Sequence, residues 1–156
     1  MKAKLILTGK TNDKLYVKGI EDYTERINHY IPFEIVTIPA LKNTKNMTQE
    51  QQKRLEGEMI LRNIQASDNV VLLDERGAER TSAETAQWLE KKRQLSRNLV
   101  FVIGGPYGFS EDVYARAEEK ISLSRMTFSH QMVRLIFVEQ LYRACTIIKG
   151  ESYHHE

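Results

Sequence analysis

A buried strand followed by a glycine-rich turn is the feature that most restricts the fold of this chain. Five consecutive apolar residues, Leu99–Ile103, lead directly into Gly104, Gly105 and Gly108. An uninterrupted apolar run is typical of a strand that is covered on both faces. Glycines have no Cβ, so the backbone after this strand can turn sharply and approach a ligand closely. Since ligands of open α/β sheets bind beyond the carboxyl ends of the strands, this turn is a candidate wall of a binding site.

Strand-like and helix-like segments alternate along the rest of the chain. Short apolar and β-branched runs predict further strands at residues 4–8, 33–38, 70–73 and 121–124. Apolar residues at steps of three and four predict helices at residues 13–30, 48–65, from 81 onward, 111–119 and 130–149. Two helices begin with sequences typical of capping boxes, Thr48-x-x-Gln51 and Thr81-x-x-Glu84. Residues 74–77 are predicted to form a turn, and Gly150 is predicted to end the last helix.

This alternation predicts an α/β fold, with a mainly parallel sheet and helices on both of its faces. The sequence shows no linker, internal repeat or low-complexity segment, so residues 1–156 are predicted to form a single domain. A chain of this length can bury about 70% of the surface that its unfolded form exposes. A substantial hydrophobic core is therefore expected.

Composition excludes several classes of protein. The formal net charge is only +2, so there is no polybasic tail that binds nucleic acid unaided, although a local basic patch is compatible with it. The single cysteine, Cys145, cannot form an internal disulfide, which fits a reducing compartment. We find no signal peptide, no apolar run near the roughly 20 residues of a membrane span, and no His or Cys pair with the spacing of a zinc site. We therefore expect a cytoplasmic protein without a membrane segment or a metal.

A second loop completes the candidate ligand site. The glycine turn alone is ambiguous, because it fits neither G-x-G-x-x-G nor a P-loop, and a plain tight turn stiffened by Pro106 explains it equally well. Residues 123–128 follow the last predicted strand and combine apolar side chains with small hydroxyl groups and one arginine. Two neighbouring loops of this kind can enclose a ligand of the size of adenine.

The last helix and the residues after it point to a different chemistry. Apolar residues cover so much of this helix that it is either central to the core or shared with a second subunit. Glu139 and Arg143 have the i,i+4 spacing of an ion pair, although Arg143 could instead point into a pocket. The sequence Tyr-His-His-Glu at residues 153–156 is either a frayed end or a titratable cluster that handles a proton near neutral pH.

Taken together, these motifs resemble those of the RlmH family, the ribosomal large-subunit pseudouridine methyltransferases of the knotted SPOUT class. The resemblance covers essentially the whole chain. It is carried by Leu73-Asp74, Phe101 to Gly108 with its Gly-Gly-Pro, Leu123 to His130, Val133-Arg134, Glu139 to Ala144 and Tyr153-His154. A lone Gly-Gly-Pro is weak evidence, whereas this ordered set is specific.

The resemblance implies a deep trefoil knot in the C-terminal part of the domain, a homodimer, and the cofactor S-adenosylmethionine bound in the knot. The residues that it implies for the cofactor pocket are Leu73, Gly104, Gly105, Leu123, Ser124, Arg125, Met126, Thr127 and Phe128. The implied substrate is a pseudouridine of large-subunit ribosomal RNA, methylated at N3 within the assembled ribosome.

Methylation at N3 requires the loss of the N3 proton, so a base or a charge that stabilises the nucleobase anion helps the reaction. We hypothesise that Tyr153 and His154 lie over the cofactor pocket and that one of them assists proton removal. Arg143, from the same or the partner subunit, then stabilises negative charge or binds a phosphate. Two alternatives stay open. One is a non-catalytic ribosome-associated binding module with the same fold, and the other is a knotted methyltransferase that acts on another RNA base.

Overall fold

The computed structural model describes residues 1–155, in which strands and helices alternate. The strands are β1 (Ala3–Thr8), β2 (Phe33–Ile38), β3 (Asn69–Glu79), β4 (Leu99–Ile103) and β5 (Glu119–Ser122). The helices are α1 (Lys14–Ile27), α2 (Gln49–Arg62), α3 (Ser82–Gln94), α4 (Glu111–Arg116) and α5 (His130–Lys149), and a short 3-10 helix covers Thr44–Asn46. Glu156, the last residue of the predicted titratable cluster, lies outside the described residues.

The five strands form one parallel sheet in the order β2-β1-β4-β3-β5. Helices α1, α3 and α5 share a hydrophobic core with one face of this sheet, whereas α2 and α4 pack against the other face. The predicted α/β fold, with a parallel sheet and helices on both faces, is therefore confirmed. The trefoil knot stays an expectation from the family resemblance.

The apolar run of β4 is explained by its central place in the sheet. Its side chains alternate between the two cores, and all five are buried. Phe101 faces α3 and α5, where its ring centroid lies 4.8 Å from that of Phe137. Val100 and Val102 face the core that α2 and α4 cover. A strand with apolar neighbours on both faces has no position for a polar side chain, as the sequence predicts.

β3 is longer than the sequence predicts, and the turn expected at residues 74–77 is wrong. The strand continues to Glu79, because its register against β5 changes: Leu73 and Ala78 both pair with Ile121, and the residues between them bulge outward. The backbones approach very closely here. A Cβ at Gly77 would lie 2.5 Å from the carbonyl carbon of Ile121. Gly77 therefore permits close strand packing and does not end the strand.

The predicted helix caps are present. Thr48 and Thr81 accept hydrogen bonds from the amides of Gln51 and Glu84, whose side chains bond back to the capping residues. α5 ends at Gly150, which has a φ of 72°. Within residues 1–155, no helix has both the length and the apolar character that crossing a membrane requires.

Gly57 marks a close contact between α2 and α4. A Cβ at this position would lie 2.4 Å from Oγ of Ser110, which caps α4 by accepting a hydrogen bond from the amide of Val113. We expect Gly57→Ala to lower the free energy of unfolding by about 1–2 kcal/mol, because overpacking and the loss of the cap outweigh the better helix propensity of alanine. Urea denaturation followed by circular dichroism measures this change.

The control for this variant is Glu58→Ala, an exposed position on the same helix. It should change the free energy of unfolding by less than about 0.5 kcal/mol. Equal denaturation midpoints for Gly57→Ala and the wild type would contradict the close contact.

Candidate active site

A cavity of about 460 Å³ lies at the carboxyl ends of β4 and β5 and beside the bulge of β3 at residues 73–76. β3 lies between β4 and β5 in the sheet, so its bulge meets the segments that follow β4 and β5. Residues of α2, α4 and the first turns of α5 complete the walls. A volume of this order is typical of small-molecule sites.

Nearly all residues that the resemblance implies for a cofactor pocket line this cavity. They are Leu73, Gly104, Gly105, Leu123, Ser124, Met126, Thr127 and Phe128. Arg125 is the exception, because its side chain is 89% exposed and its Nε lies 3.7 Å from Oε1 of Glu79. The structure therefore brings the two loops together around one space and leaves Arg125 at the surface. That these residues bind a cofactor stays a prediction.

The glycine turn after β4 is held in one shape by its neighbours. A Cβ at Gly104 would lie 2.8 Å from the ring of Phe109, which is buried. Gly108 has a φ of 82°, which favours glycine, and its amide donates to the carbonyl oxygen of Gly105 at 3.2 Å. The amide of Gly105 itself donates to Oε1 of Glu56 at 3.0 Å. The two interpretations of the turn are compatible, since a tightly held turn forms the cavity wall.

The loop after β5 is stabilised by its own hydroxyl groups. The hydroxyl of Ser122 donates to the carbonyl oxygen of Ser124 at 2.9 Å, and Oγ of Ser124 accepts from the amide of Met126 at 3.0 Å. Ser129 then caps α5 by accepting from the amide of Met132. Met126 lines the cavity although it is 77% exposed. A flexible thioether in this place is suited to cover a bound ligand.

The cavity also contains polar residues that the sequence analysis does not assign to it, notably Asp74, Arg76 and Tyr114. The hydroxyl of Tyr114 donates to the carboxylate of Asp74. The amide of Arg76 donates to Asp74 at 2.8 Å, and its Nη2 donates to the hydroxyl of Tyr114 at 3.1 Å. The side chain of Asp74 is only 6% exposed. No motif spacing connects Asp74 with Tyr114, so only the fold reveals this group.

The electrostatics keep Asp74 ionised. Burial acts to raise its pKa, but hydrogen bonds from Tyr114 and Arg76, with the positive charges of Arg76 and Lys120, outweigh burial and hold the pKa below its ordinary value. Burial and this same carboxylate raise the pKa of Tyr114. At neutral pH the cavity wall thus carries a carboxylate that can attract a cation or accept hydrogen bonds from ligand hydroxyls. No metal-binding group of three or more His, Cys, Asp or Glu side chains occurs in the described part of the chain.

We expect Asp74→Asn to reduce the acid sensitivity of the fold. Because the pKa of Asp74 is lower in the folded protein than in the unfolded chain, its ionised form stabilises the protein above the ordinary value of 3.8, and this stabilisation is lost as the pH falls through the folded pKa. The variant should be less stable by about 1 kcal/mol at neutral pH, with a smaller difference below about pH 4. Urea denaturation of the variant and the wild type at neutral and at acid pH measures this difference in the free energy of unfolding. A difference that does not change with pH would contradict the lowered pKa of Asp74.

Residues 151–155 are anchored against α1 and α5. Gly150 turns the chain, and residues 151–155 follow it. The ring of Tyr153 packs on that of Tyr142, with centroids 4.8 Å apart, and its hydroxyl lies 3.3 Å from the hydroxyl of Tyr23. These contacts favour an ordered end over a frayed one.

The three residues hypothesised to be catalytic form one cluster with Glu139. Nε and Nη2 of Arg143 donate to Oε1 of Glu139 at 3.0 and 2.8 Å, so the predicted ion pair is present. The guanidinium of Arg143 lies 4.7 Å from the ring centroid of Tyr153, and its Nη1 lies 3.1 Å from Nδ1 of His154. A guanidinium can only donate, so Nδ1 of His154 accepts, and the neutral imidazole carries its proton on Nε2.

Charges in this cluster determine its protonation. Burial, the hydrogen bond with Tyr23 and the charge of Glu139 raise the pKa of Tyr153 well above its ordinary range. The hydrogen bond to Glu139 raises the pKa of Arg143. At neutral pH the cluster therefore offers a guanidinium cation and a protonated phenol.

Within one chain, this cluster and the cavity are separate. Of the described residues that line the cavity, none belongs to the cluster. Val133 lines the cavity near the start of α5, and Arg143 follows ten residues later, roughly 15 Å along the helix axis. The hypothesis that Tyr153 and His154 lie over the pocket therefore needs a second copy of the chain or a rearrangement, and it stays a prediction.

Comparison with known proteins relates the whole chain to one group. A family model described as "Predicted SPOUT methyltransferase" matches residues 1–154. A protein of Bacteroides fragilis named "Ribosomal RNA large subunit methyltransferase H" is 58% identical over 157 residues, covering 100% of both chains. Proteins of the same name from Parabacteroides distasonis and Christiangramia forsetii are 57% and 56% identical, covering 100% and 99% of both chains.

Proposed function

Because the chain belongs to the SPOUT methyltransferase family and is therefore a methyltransferase, we propose that it transfers a methyl group from S-adenosylmethionine to N3 of a pseudouridine in large-subunit ribosomal RNA. The relatives are named for methylation of that RNA, over the full length of the chain. The observation that carries the proposal is the cavity of about 460 Å³ between the two loops that follow the parallel strands β4 and β5.

The cavity suits the donor in size and in charge. Leu73, Leu123 and Phe128 provide apolar walls for a flat adenine ring, and the glycine turn presents backbone groups that no side chain covers. The carboxylate of Asp74 complements a cation or accepts hydrogen bonds from ribose hydroxyls. S-adenosylmethionine, when bound, supplies an electrophilic methyl carbon on a positively charged sulfur.

The tail cluster suits the acceptor. An uncharged N3 carries a proton and has no lone pair for attack, so the reaction is helped by groups that stabilise the deprotonated nucleobase. Arg143 supplies positive charge, Tyr153 supplies an O–H donor, and His154 helps to hold the guanidinium by accepting at Nδ1. Since Nδ1 of His154 already accepts from Arg143, the geometry favours anion stabilisation over proton uptake at that atom. These residues lower the cost of ionising N3, whose proton passes to solvent water, and they orient the base.

We further propose that the acceptor site is completed by a second copy of the chain. Leu15 on α1 and Met132 on α5 are 72% and 40% exposed, and Leu135 packs against α1 at Gly19. The tail cluster lies on the same two helices, through the contact of Tyr153 with α1. A two-fold dimer through this surface would bury the exposed apolar side chains and bring the tail of one copy toward the cavity of the other.

The assembled ribosome is the expected form of the substrate. Phosphate neutralisation supplies most non-specific affinity for RNA, and a net charge of +2 provides little of it. Specificity then comes from the shape of the ribosome and from neighbouring ribosomal protein. The enzyme accordingly acts in the cytoplasm.

The test is methyl transfer from labelled S-adenosylmethionine to purified ribosomes, large subunits and free ribosomal RNA, with mass spectrometry of the nucleosides. We expect one new methylated pseudouridine, formed on assembled particles in preference to free RNA. Methylation of a different base would contradict the pseudouridine assignment and support the second alternative. Donor binding without transfer to any RNA would support a non-catalytic module.

A further inference from the structure

A carboxylate from α2 lies directly behind the glycine turn that forms the cavity wall. Oε1 of Glu56 accepts a hydrogen bond from the amide of Gly105 at 3.0 Å. Gly105 lines the cavity, whereas Glu56 does not. Glu56 is therefore placed to act on a ligand only through the backbone that it holds.

This hydrogen bond fixes the orientation of a peptide group. The peptide between Gly104 and Gly105 is planar and trans, as are all peptide bonds that the structure describes, so its N–H and C=O groups point in opposite directions. With the N–H directed at Glu56, the carbonyl oxygen of Gly104 must point away from α2. Both glycines line the cavity, and this carbonyl is an acceptor that the wall can offer to a ligand.

The next residue of α2 contacts the other end of the same segment. Gly57 approaches Ser110 so closely that a Cβ would lie 2.4 Å from its Oγ. Two consecutive residues of α2 thus touch the segment at Gly105 and at Ser110, before and after the turn at Gly108. The helix acts as a rigid support for the whole glycine turn.

We propose that Glu56 is a positioning residue for the methyl donor: by holding the amide of Gly105 it sets the glycine turn, and the carbonyl oxygen of Gly104, in the orientation that binds the donor. The inference rests on the proposed function, in which this cavity holds S-adenosylmethionine. Glu56 touches neither the donor nor the acceptor, so its effect falls on donor affinity and not on the methyl transfer step.

The property that matters is an acceptor oxygen at this position. Burial raises the pKa of Glu56, while the hydrogen bond from the amide of Gly105 opposes the shift. A neutral amide oxygen still accepts a hydrogen bond from a backbone N–H. Glutamine at position 56 should therefore keep the hydrogen bond to the amide of Gly105, whereas alanine should lose it.

The first experiment compares Glu56→Ala, Glu56→Gln and the control Glu58→Ala, which alters an exposed carboxylate on the same helix. Isothermal titration with S-adenosylmethionine gives the dissociation constant, and methyl transfer to ribosomes gives KM for the donor and kcat. We expect Glu56→Ala to raise the dissociation constant and KM roughly tenfold, about the effect of one hydrogen bond, with kcat at saturating donor nearly unchanged. Glu56→Gln and Glu58→Ala should bind the donor as the wild type does.

A second variant breaks the same contact from the other side. The three heavy atoms nearest to a Cβ at Gly105 would all belong to the carboxylate of Glu56, with its oxygens at 2.8 and 2.9 Å. That carboxylate ends a flexible side chain, so Gly105→Ala should displace it without distorting the fold. Both substitutions remove the same hydrogen bond between Glu56 and the amide of Gly105. The double variant Glu56→Ala/Gly105→Ala should therefore bind the donor no more weakly than either single variant.

The outcomes separate the inference from the function on which it rests. A wild-type protein that does not bind S-adenosylmethionine would overturn both. Wild-type affinity in Glu56→Ala, or equal weakening by Glu56→Ala and Glu58→Ala, would overturn the inference alone. Should Glu56→Ala fail to fold, Gly105→Ala decides: unchanged donor affinity in that variant overturns the positioning role, and a tenfold loss with unchanged kcat supports it.

Discussion

Arg143→Ala should lose at least about a hundredfold in kcat while its affinity for S-adenosylmethionine stays close to that of the wild type. The guanidinium is the centre of the tail cluster, since it contacts Glu139, Tyr153 and His154. Its removal takes away the positive charge next to the proposed nucleobase anion and the hydrogen bond that orients His154. Loss of one such group typically costs about 10² to 10³ in rate. Single-turnover methyl transfer to ribosomes and donor titration measure the two quantities separately.

The matched control is Arg93→Ala, which also removes a helical arginine paired with a glutamate. Arg93 and Glu90 form an ion pair at 3.3 Å on the surface of α3, and neither lines the cavity. This variant should transfer methyl groups at the rate of the wild type. Arg143→Lys keeps the charge but not the fork of donors, so it should recover only part of the rate. A kcat of Arg143→Ala within a few fold of the wild type would contradict the role of the cluster.

Gly104→Val should weaken the binding of S-adenosylmethionine by roughly a hundredfold. A Cβ at this position would lie 2.8 Å from the ring of Phe109, so the larger side chain must displace that ring or narrow the cavity. The ring of Phe109 packs edge-on against Tyr114, with centroids 5.7 Å apart, and Tyr114 donates to Asp74. Overpacking costs about 1–3 kcal/mol, and each 1.4 kcal/mol corresponds to a factor of about ten in affinity.

Two further measurements identify the cause of that loss. Adding Phe109→Leu to the Gly104→Val variant removes the ring atoms nearest to the new side chain, and it should restore part of the donor affinity.

If subunits share their sites, mixing Arg143→Ala with Gly104→Val should form heterodimers in which one intact cavity meets one intact tail, and activity should return. Unchanged donor affinity in Gly104→Val would contradict the placement of the donor in this cavity. Inactive mixtures in spite of subunit exchange would contradict the shared site.

The elements of the fold follow from local patterns, because local forces determine them. The uninterrupted apolar run predicts β4 with its observed bounds, and the two capping boxes predict the starts of α2 and α3. The order of strands in the sheet has no such local signal. β5 follows β4 in the chain but pairs with β3, which separates them. Only long-range packing determines that arrangement.

Local sequence likewise predicts one part of the candidate site and not the other. The two loops can be predicted because glycine and hydroxyl residues follow apolar strands, and the fold then brings them together. Asp74 is assigned to a turn, since Asp-Glu-Arg-Gly has turn composition, and the change of register that places it in the cavity depends on β5. Glu56 lies on a helix whose sequence pattern explains it as a surface residue. Its partner is the backbone amide of Gly105, and a contact with a backbone group leaves no motif in the sequence from which it could be predicted.

One wall of the cavity follows β5, which is an edge strand of the sheet. β5 is four residues long and hydrogen-bonds to β3 alone, and the loop that leaves it forms a wall of the cavity. Such edges open at a lower free energy than central strands do. We therefore expect the wall of the cavity to open most easily at β5 and the loop that follows it, and least easily at the central strand β4.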